Sequence, residues 1–242
     1  MESSKRSVNK MDRREMNRNI FKDTERMCKT DAELSDVTKV SVANQRFIAE
    51  AEDIPTPELN IYRKRANVVV SKKRTYEAAM AYKGNHVAVH NFASASNPGG
   101  GVVNGAGAQE ECLCRCSNLY FCLNTPDMWG MFYTPHRAAH DPIHNDDIIY
   151  TPDIVVFKTD TDLPELMERD DWYKVDVITC AAPNLRENPS NKYNSGDGTC
   201  AVTLSSKELQ ALHEKRLRRI LDSAVMNHAD TCLLYTSDAA DD

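Results

Sequence analysis

Long apolar runs are missing from this chain: none approaches the ~18 residues that a membrane-spanning helix needs. Residues 1–29 are polar with mixed charge and lack the apolar core of a secretory signal. Positive charge is in deficit, with 30 Lys and Arg against 36 Asp and Glu for a net charge of −6. That balance argues against broad nucleic-acid binding through phosphates, yet leaves room for a local basic pocket holding one diphosphate. A spread-out disulfide framework is also absent. Of eight cysteines, half crowd together at Cys112, Cys114, Cys116 and Cys122, which reads as reduced thiols in a cytoplasmic protein. No internal repeat is apparent. Neither a membrane nor DNA is an expected partner, and a monomer is expected.

What is present fits one α/β domain, or at most two small ones: 242 residues, 41% hydrophobic and 27% charged. Residues 10–28 are charged, with loosely helical spacing of Met11, Met16, Ile20, Phe21 and Met27, and read as a surface helix. Residues 41–42 and 47–48 read as short strands, and 54–57 as an extended connector. Residues 67–70, β-branched toward their end, read as a strand. Residues 75–83 form a short helix stopped by Gly84. A strand over 87–92, a helix over 109–123 and a loop over 128–145 broken by Gly130, Pro135 and Pro142 come next. A strand pair follows over 148–157, interrupted at Pro152, then a strand over 175–180 and a loop over 186–198. The longest helix spans 206–226, with Leu209, Leu212, Leu217, Ile220, Leu221, Ala224 and Val225 as its apolar face. A last strand starts at Thr231.

The chemistry concentrates between the 87–92 strand and the 109–123 helix. Asn97-Pro98-Gly99-Gly100-Gly101 is followed, after seven residues, by Gln109-Glu110-Glu111. Consecutive glycines let backbone N–H groups approach a ligand with no Cβ in the way. A bare backbone beside an acid pair, at a strand–loop–helix entry, suits chemistry on a phosphorylated sugar. The plain alternative is an acid-rich helix start after a tight turn, since acids are favoured there by the helix dipole alone. The cysteines invite a zinc reading, but on a continuous helix Cys112 and Cys116 share a face while Cys114 points away, so buried thiols are expected. His136, His140 and His144 stand at intervals of four, but Pro135 and Pro142 break the helix they would need and favour surface or loop histidines. The basic run Lys215-Arg216 with Arg218-Arg219 reads as a solvated helix face, and Phe92 as core.

This signature resembles that of the poly(ADP-ribose) glycohydrolases, in their bacterial-type, macrodomain-based branch. Asn91-Phe92-Ala93, residues 109–115, residues 150–157 and Ala181-Ala182-Pro183-Asn184 extend the resemblance, which covers roughly residues 10–233. It implies a macrodomain-like three-layer α/β/α fold with a central mixed sheet and an N-terminal helical extension. The implied division is 1–60 as an accessory segment, 61–234 as the catalytic domain and 235–242 as a non-native tail. It also implies a substrate, poly(ADP-ribose) or ADP-ribosylated protein, and no cofactor or metal. Glu111 would be the catalytic acid, and Glu110 would bind the hydroxyls of the reacting ribose. Asn97, Gly99, Gly100, Gly101 and Gln109 would complete the substrate site. A helix N-terminus lowers a carboxyl pKa, whereas a general acid needs a raised one, so a neighbouring carboxylate and desolvation must win.

The family pattern continues past a strand such as 231–234 with a second glycine-rich loop over the diphosphate and an adenine-stacking aromatic. Here residues 235–242 are polar and acidic instead, so a truncated enzyme of weak or no activity is expected. The rival readings are an ADP-ribose-binding macrodomain, a zinc-stabilised structural protein, and a hydrolase of protein-linked mono-ADP-ribose.

Overall fold

The structure, a computed structural model, describes residues 12–55, 62, 64–185 and 204–234. In chain order the elements are α1 (Arg13–Thr30), α2 (Ala32–Ala43), β1 (Arg46–Ile48), α3 (Thr75–Ala79), β2 (Val87–Ala93), α4 (Gln109–Cys116) and α5 (Leu119–Leu123). Then come α6 (Pro126–Met128), α7 (Thr134–Ala139), β3 (Ile148–Val156), β4 (Tyr173–Ala181), α8 (Ser206–Met226) and β5 (Thr231–Leu233). The strands form one mixed sheet in the order β1-β3-β4-β2-β5. β2 lies parallel to β4 and β5, while β3 is antiparallel to β1 and β4.

Alternation along the strands separates two apolar faces. Val87, Val89, Val175, Val177 and Ile149 join one core with Tyr76, Leu113, Phe132 and Tyr133. Ala88, Ile178, Cys180, Ile148 and Tyr150 join the other with Ile220 and Ala224 of α8. The result is a layered α/β/α arrangement with β2 inside it. Among the described residues, no helix is long and apolar enough to cross a membrane.

Several local expectations are corrected by long-range partners. α1 is a surface helix docked through one stripe: Asn17, Phe21, Thr24, Met27 and Cys28 are buried along it, and Phe21 packs edge-on against Tyr120 at 5.0 Å. Residues 41–42 lie in α2 rather than in a strand. Residues 67–70 are in no strand, and Val68, Val69 and Val70 are exposed. The helix expected over 109–123 breaks at Ser117, which is extended (φ −146°, ψ 177°). There Asn118 Oδ1 accepts from Val155 N at 2.9 Å, and the Cys116 carbonyl accepts from Phe157 N and Lys158 N. β3 therefore claims polar groups that a continuous helix would have used internally.

The stretch expected as a loop over 128–145 is largely helical. A π turn, Trp129–Tyr133, runs into α7. Pro135 sits in the first turn of α7, where no N–H is needed. His136 and His144 are consequently buried, with ring centroids 5.8 Å apart, and only His140 is exposed. Burial, reinforced by His136 and Arg216, pushes the His144 imidazole down to about 4. At Pro152 the chain keeps one strand with a bulge between Thr151 and Ile154, Asp153 taking φ +57°. The loop expected over 186–198 and the tail 235–242 lie outside the described residues.

α8 has the expected span, opened by a Ser205/Glu208 capping box, and Ile220 and Ala224 of its expected apolar face are buried, but that face departs from expectation at two places. Leu221 is 40% exposed, whereas Arg216 is buried. Arg216 donates to Asp146 Oδ1 at 2.5 Å and to the carbonyls of Ala181, Ile143 and His144. Arg219 also turns inward, to the carbonyls of Ala49, Glu52 and Asp146. Burial alone would raise the Asp146 carboxyl, but hydrogen bonds from Lys215 and Arg216 hold it below the usual carboxylate range. Arg216→Met is expected to destabilise the fold by about 3 kcal/mol, because it takes from the buried Asp146 one of its two cations, Lys215 being the other, and leaves the carbonyls of Ala181, Ile143 and His144 without their donor. Urea denaturation of the variant checks this; an unchanged midpoint would show that the arginine contributes nothing net.

Candidate functional site

The site lies where β2 runs out. At this end Ala93 O accepts from Ala182 N of the β4 side, so His90 and Phe92 turn their backbone groups toward the β5 side. Pairing with β5 stops at Val89–Leu233. The side chain of Gln109 continues the ladder in its place. Its Oε1 accepts from Phe92 N at 2.9 Å and its Nε2 donates to His90 O at 2.7 Å. Nε2 also reaches Thr75 Oγ1 at 3.2 Å. An amide here mimics one residue of a parallel strand and fixes where α4 begins relative to β2.

After Ala93 the chain turns on a serine. Ser94 Oγ accepts from Ser96 N at 3.3 Å and Asn97 N at 3.2 Å. Two further turns follow, Gly100 N to Asn97 O and Val102 N to Gly99 O, both 3.0 Å. Gly99 and Gly100 take φ of +64° and +57°, left-handed backbone that favours glycine. A Cβ on Gly100 would collide with Glu111 Oε1 and come within 3.1 Å of Glu110 Oε2. The bare Cα of Gly100 therefore makes room for the two carboxylates.

Glu110 and Glu111 occupy the first turn of α4, and both are buried. Glu111 Oε1 accepts from Gly101 N at 2.7 Å. Glu110 Oε2 accepts from Ser94 N at 2.8 Å, and Oε1 lies 3.4 Å from Asn91 Nδ2. Burial first, and then the charge of Glu111, push the Glu110 carboxyl well above the usual carboxylate range, against hydrogen bonds from Ser94, Asn91 and Gly99. At Glu110 desolvation thus outweighs the hydrogen bonds that favour the charged form.

Asn97 is held by residues with no obvious mark in the sequence. Its Oδ1 accepts from Arg137 Nη2 at 2.6 Å, and Arg137 Nε donates to Ser96 O at 2.6 Å. The Arg137 guanidinium rests over the Trp129 ring, 4.5 Å from its centroid. With Oδ1 turned to Arg137, the Asn97 amide presents its N–H₂ side elsewhere, to Ser96 Oγ at 3.3 Å. Beneath the loop, Arg115 donates to Ala106 O at 2.5 Å and Asn17 Nδ2 to Gly105 O at 3.0 Å.

Cys114, Cys116 and Cys122 are buried and Cys112 is half-exposed. Burial raises the Cys114 and Cys116 thiols well above their ordinary value. Among the described residues, no group of three or more His, Cys, Asp or Glu could hold a metal ion. Phe92 is half-buried rather than core, edge-on to His90 at 5.5 Å.

The chain matches the family described as microbial-type PARG, catalytic domain, over residues 14–159. Among solved structures it is similar to the poly(ADP-ribose) glycohydrolase of Thermomonospora curvata. Identity is 26%, over 90% of this chain and 78% of that one, with a TM-score of 0.72. A structure of the T. curvata protein bound to the inhibitor ADP-HPD aligns at 27% identity over 90% and 77%, TM-score 0.69. The Deinococcus radiodurans glycohydrolase in complex with ADP-ribose aligns at 27% identity over 81% and 74%, TM-score 0.60. No curated protein matches the chain.

Proposed function

This chain belongs to the microbial-type PARG catalytic-domain family, and on that premise we propose that it hydrolyses the ribose–ribose O-glycosidic bonds of poly(ADP-ribose), releasing ADP-ribose. The observation that carries the reading is the contact between Glu111 Oε1 and Gly101 N at 2.7 Å. It ties the candidate acid to a stretch of backbone bare enough to take a diphosphate and its ribose.

In the proposed mechanism the Glu111 carboxyl gives its proton to the leaving ribose oxygen. The anomeric C–O bond breaks, its electron pair stays with that oxygen, and the remaining sugar becomes oxocarbenium-like. The Glu111 carboxylate then takes a proton from water as the water oxygen bonds to the anomeric carbon, which restores the acid. One carboxyl serves both steps, so no facing pair is required. Glu110 accepts hydrogen bonds from hydroxyls of the reacting ribose. Gly99, Gly100 and Gly101 supply the approach to the terminal ribose and diphosphate, and Asn97 offers its amide N–H₂. Gln109 is a positioning residue in this scheme, since its amide is committed to β2 and Thr75.

The test is a chromatographic assay for free ADP-ribose, run on polymer and on mono-ADP-ribosylated protein side by side. Release from polymer is the expected result. Tight ADP-ribose binding with no product from either substrate would make the chain a binding module, and release from the mono-modified protein alone would move the scissile bond to the protein linkage.

A further inference from the structure

Residues 64–74 carry five cations and no anion, Lys64, Arg65, Lys72, Lys73 and Arg74, in a chain whose net charge is −6. Between the two basic groups stand Val68, Val69 and Val70, which are 85%, 65% and 93% exposed. The sequence pattern suits a strand, but the stretch pairs with no strand among the described residues. It is a strap secured near both ends. Tyr62 donates its hydroxyl to Ala229 O at 2.8 Å, and Arg74 is the N-cap residue of α3, paired with Asp162. Lys73 lies 3.9 Å from Glu77. Lys64, Arg65 and Lys72 are exposed and make no ion pair among the described residues.

The strap ends at the candidate site. Thr75, the residue after Arg74, takes the hydrogen bond from Gln109, and Arg74 Nη1 lies 3.7 Å from Cys112 Sγ, next to Glu111. A polyanion whose terminal unit sits over Glu111 therefore has a run of unneutralised cations available to its following units.

We infer that residues 64–74 hold the non-reacting units of the polymeric substrate. Lys64, Arg65 and Lys72 meet pyrophosphates, and the exposed valines meet the flat faces of adenines. The inference rests on the proposed substrate and adds to it a second contact region that free ADP-ribose does not need. Charge complementarity selects the occupant: poly(ADP-ribose) carries a pyrophosphate in every repeat, with apolar base faces between.

The experiment measures binding without turnover. The Glu111→Gln chain is titrated with size-selected poly(ADP-ribose), with ADP-ribose and with a single-stranded oligonucleotide of similar charge across a salt series. The same titrations are run after adding Lys64→Ala, Arg65→Ala and Lys72→Ala together. Each phosphate contact on a single-stranded polyanion contributes about 0.7 to the slope of log affinity against log salt. The triple substitution is expected to flatten the polymer slope by about 2 and to weaken polymer binding at least tenfold in low salt, leaving ADP-ribose affinity within twofold. Val68→Ser with Val70→Ser is expected to weaken polymer binding severalfold at unchanged slope. Polymer affinity and slope untouched by the triple substitution would overturn the inference. So would tighter binding of the oligonucleotide than of polymer with the same dependence on these cations, which would make the strap a nucleic-acid surface. If the unsubstituted chain releases no ADP-ribose while the strap variants still lose polymer, the proposed hydrolysis falls and the strap stands. Normal release with strap variants that bind polymer like the parent drops the strap alone.

Discussion

Glu111→Gln is expected to lower ADP-ribose release from polymer by roughly 10²–10⁴-fold, the range a positioned general acid supplies, while ADP-ribose still binds within a few-fold. The amide oxygen of glutamine can accept the Gly101 N–H that Glu111 Oε1 accepts now at 2.7 Å, so the loop keeps its shape. What is lost is the proton for the leaving oxygen and the charge that later draws one from water. The substitution has a second readout. Burial is the largest cause of the raised Glu110 carboxyl, and the Glu111 charge comes next. Removing that charge lowers the pH at which Glu110 ionises, though burial keeps it above the usual range. If Glu110 binds ribose as the carboxylate, the pH dependence of ADP-ribose binding shifts to lower pH in the variant. Equal losses of binding and rate would instead give Glu111 a positioning role.

The meeting of the glycine turn with the acid pair is legible in the sequence because the two are nearly contiguous. The strand, the glycine turn and the acid pair fall within residues 87–111, and each is specified by local rules: alternation, φ > 0 at glycine, acids in a first helical turn. The residues that orient it were not legible. Arg137 reaches Asn97 only because residues 129–139 are helical, and the glycine and proline there mark a loop on local grounds. Pro135 fits because it falls in a first turn, and where that turn lies depends on packing rather than on the residue itself.

The same division runs through the fold. β2 and α8 follow from their own sequence, as does the turn at Gly84, where φ is +96°. The break at Ser117 does not, since its cause is the edge of β3, far along the chain. Arg216 reads as a solvent-facing cation until Asp146 and the surrounding carbonyls are brought to it by the sheet. Residues 67–70 failed in the opposite direction: β-branched side chains fit a pleated, half-buried surface, and among the described residues no neighbouring strand provides one. Gln109 is intermediate. Its place beside the acid pair is plain in the sequence, but its work as a surrogate strand residue appears only once β5 is seen to stop at Leu233.

Gly100→Ala is expected to remove activity about as thoroughly as loss of the acid itself, for a different reason. At φ +57° an L side chain costs about 1 kcal/mol through the backbone alone. The larger effect is steric: the new Cβ would overlap Glu111 Oε1 and crowd Glu111 Cδ and Glu110 Oε2, both at 3.1 Å. Either the loop or the carboxylates must move, and a displacement of ~1 Å at reacting groups costs roughly 10²-fold in rate. Two other glycines separate the causes. Gly84 has φ +96° but nothing within 4 Å of the place a methyl group would take, and Gly130 has neither a positive φ nor a near neighbour. Gly84→Ala should therefore lower the melting temperature while leaving kcat/KM intact, and Gly130→Ala should do neither. Gly100→Ala should lower kcat/KM by about 10² or more with a stability loss at least that of Gly84→Ala, because the overlap adds to the backbone cost. Near-parental turnover in Gly100→Ala would mean that the catalytic carboxylate does not work from beneath this loop, and the role given to Glu111 would have to pass to another group.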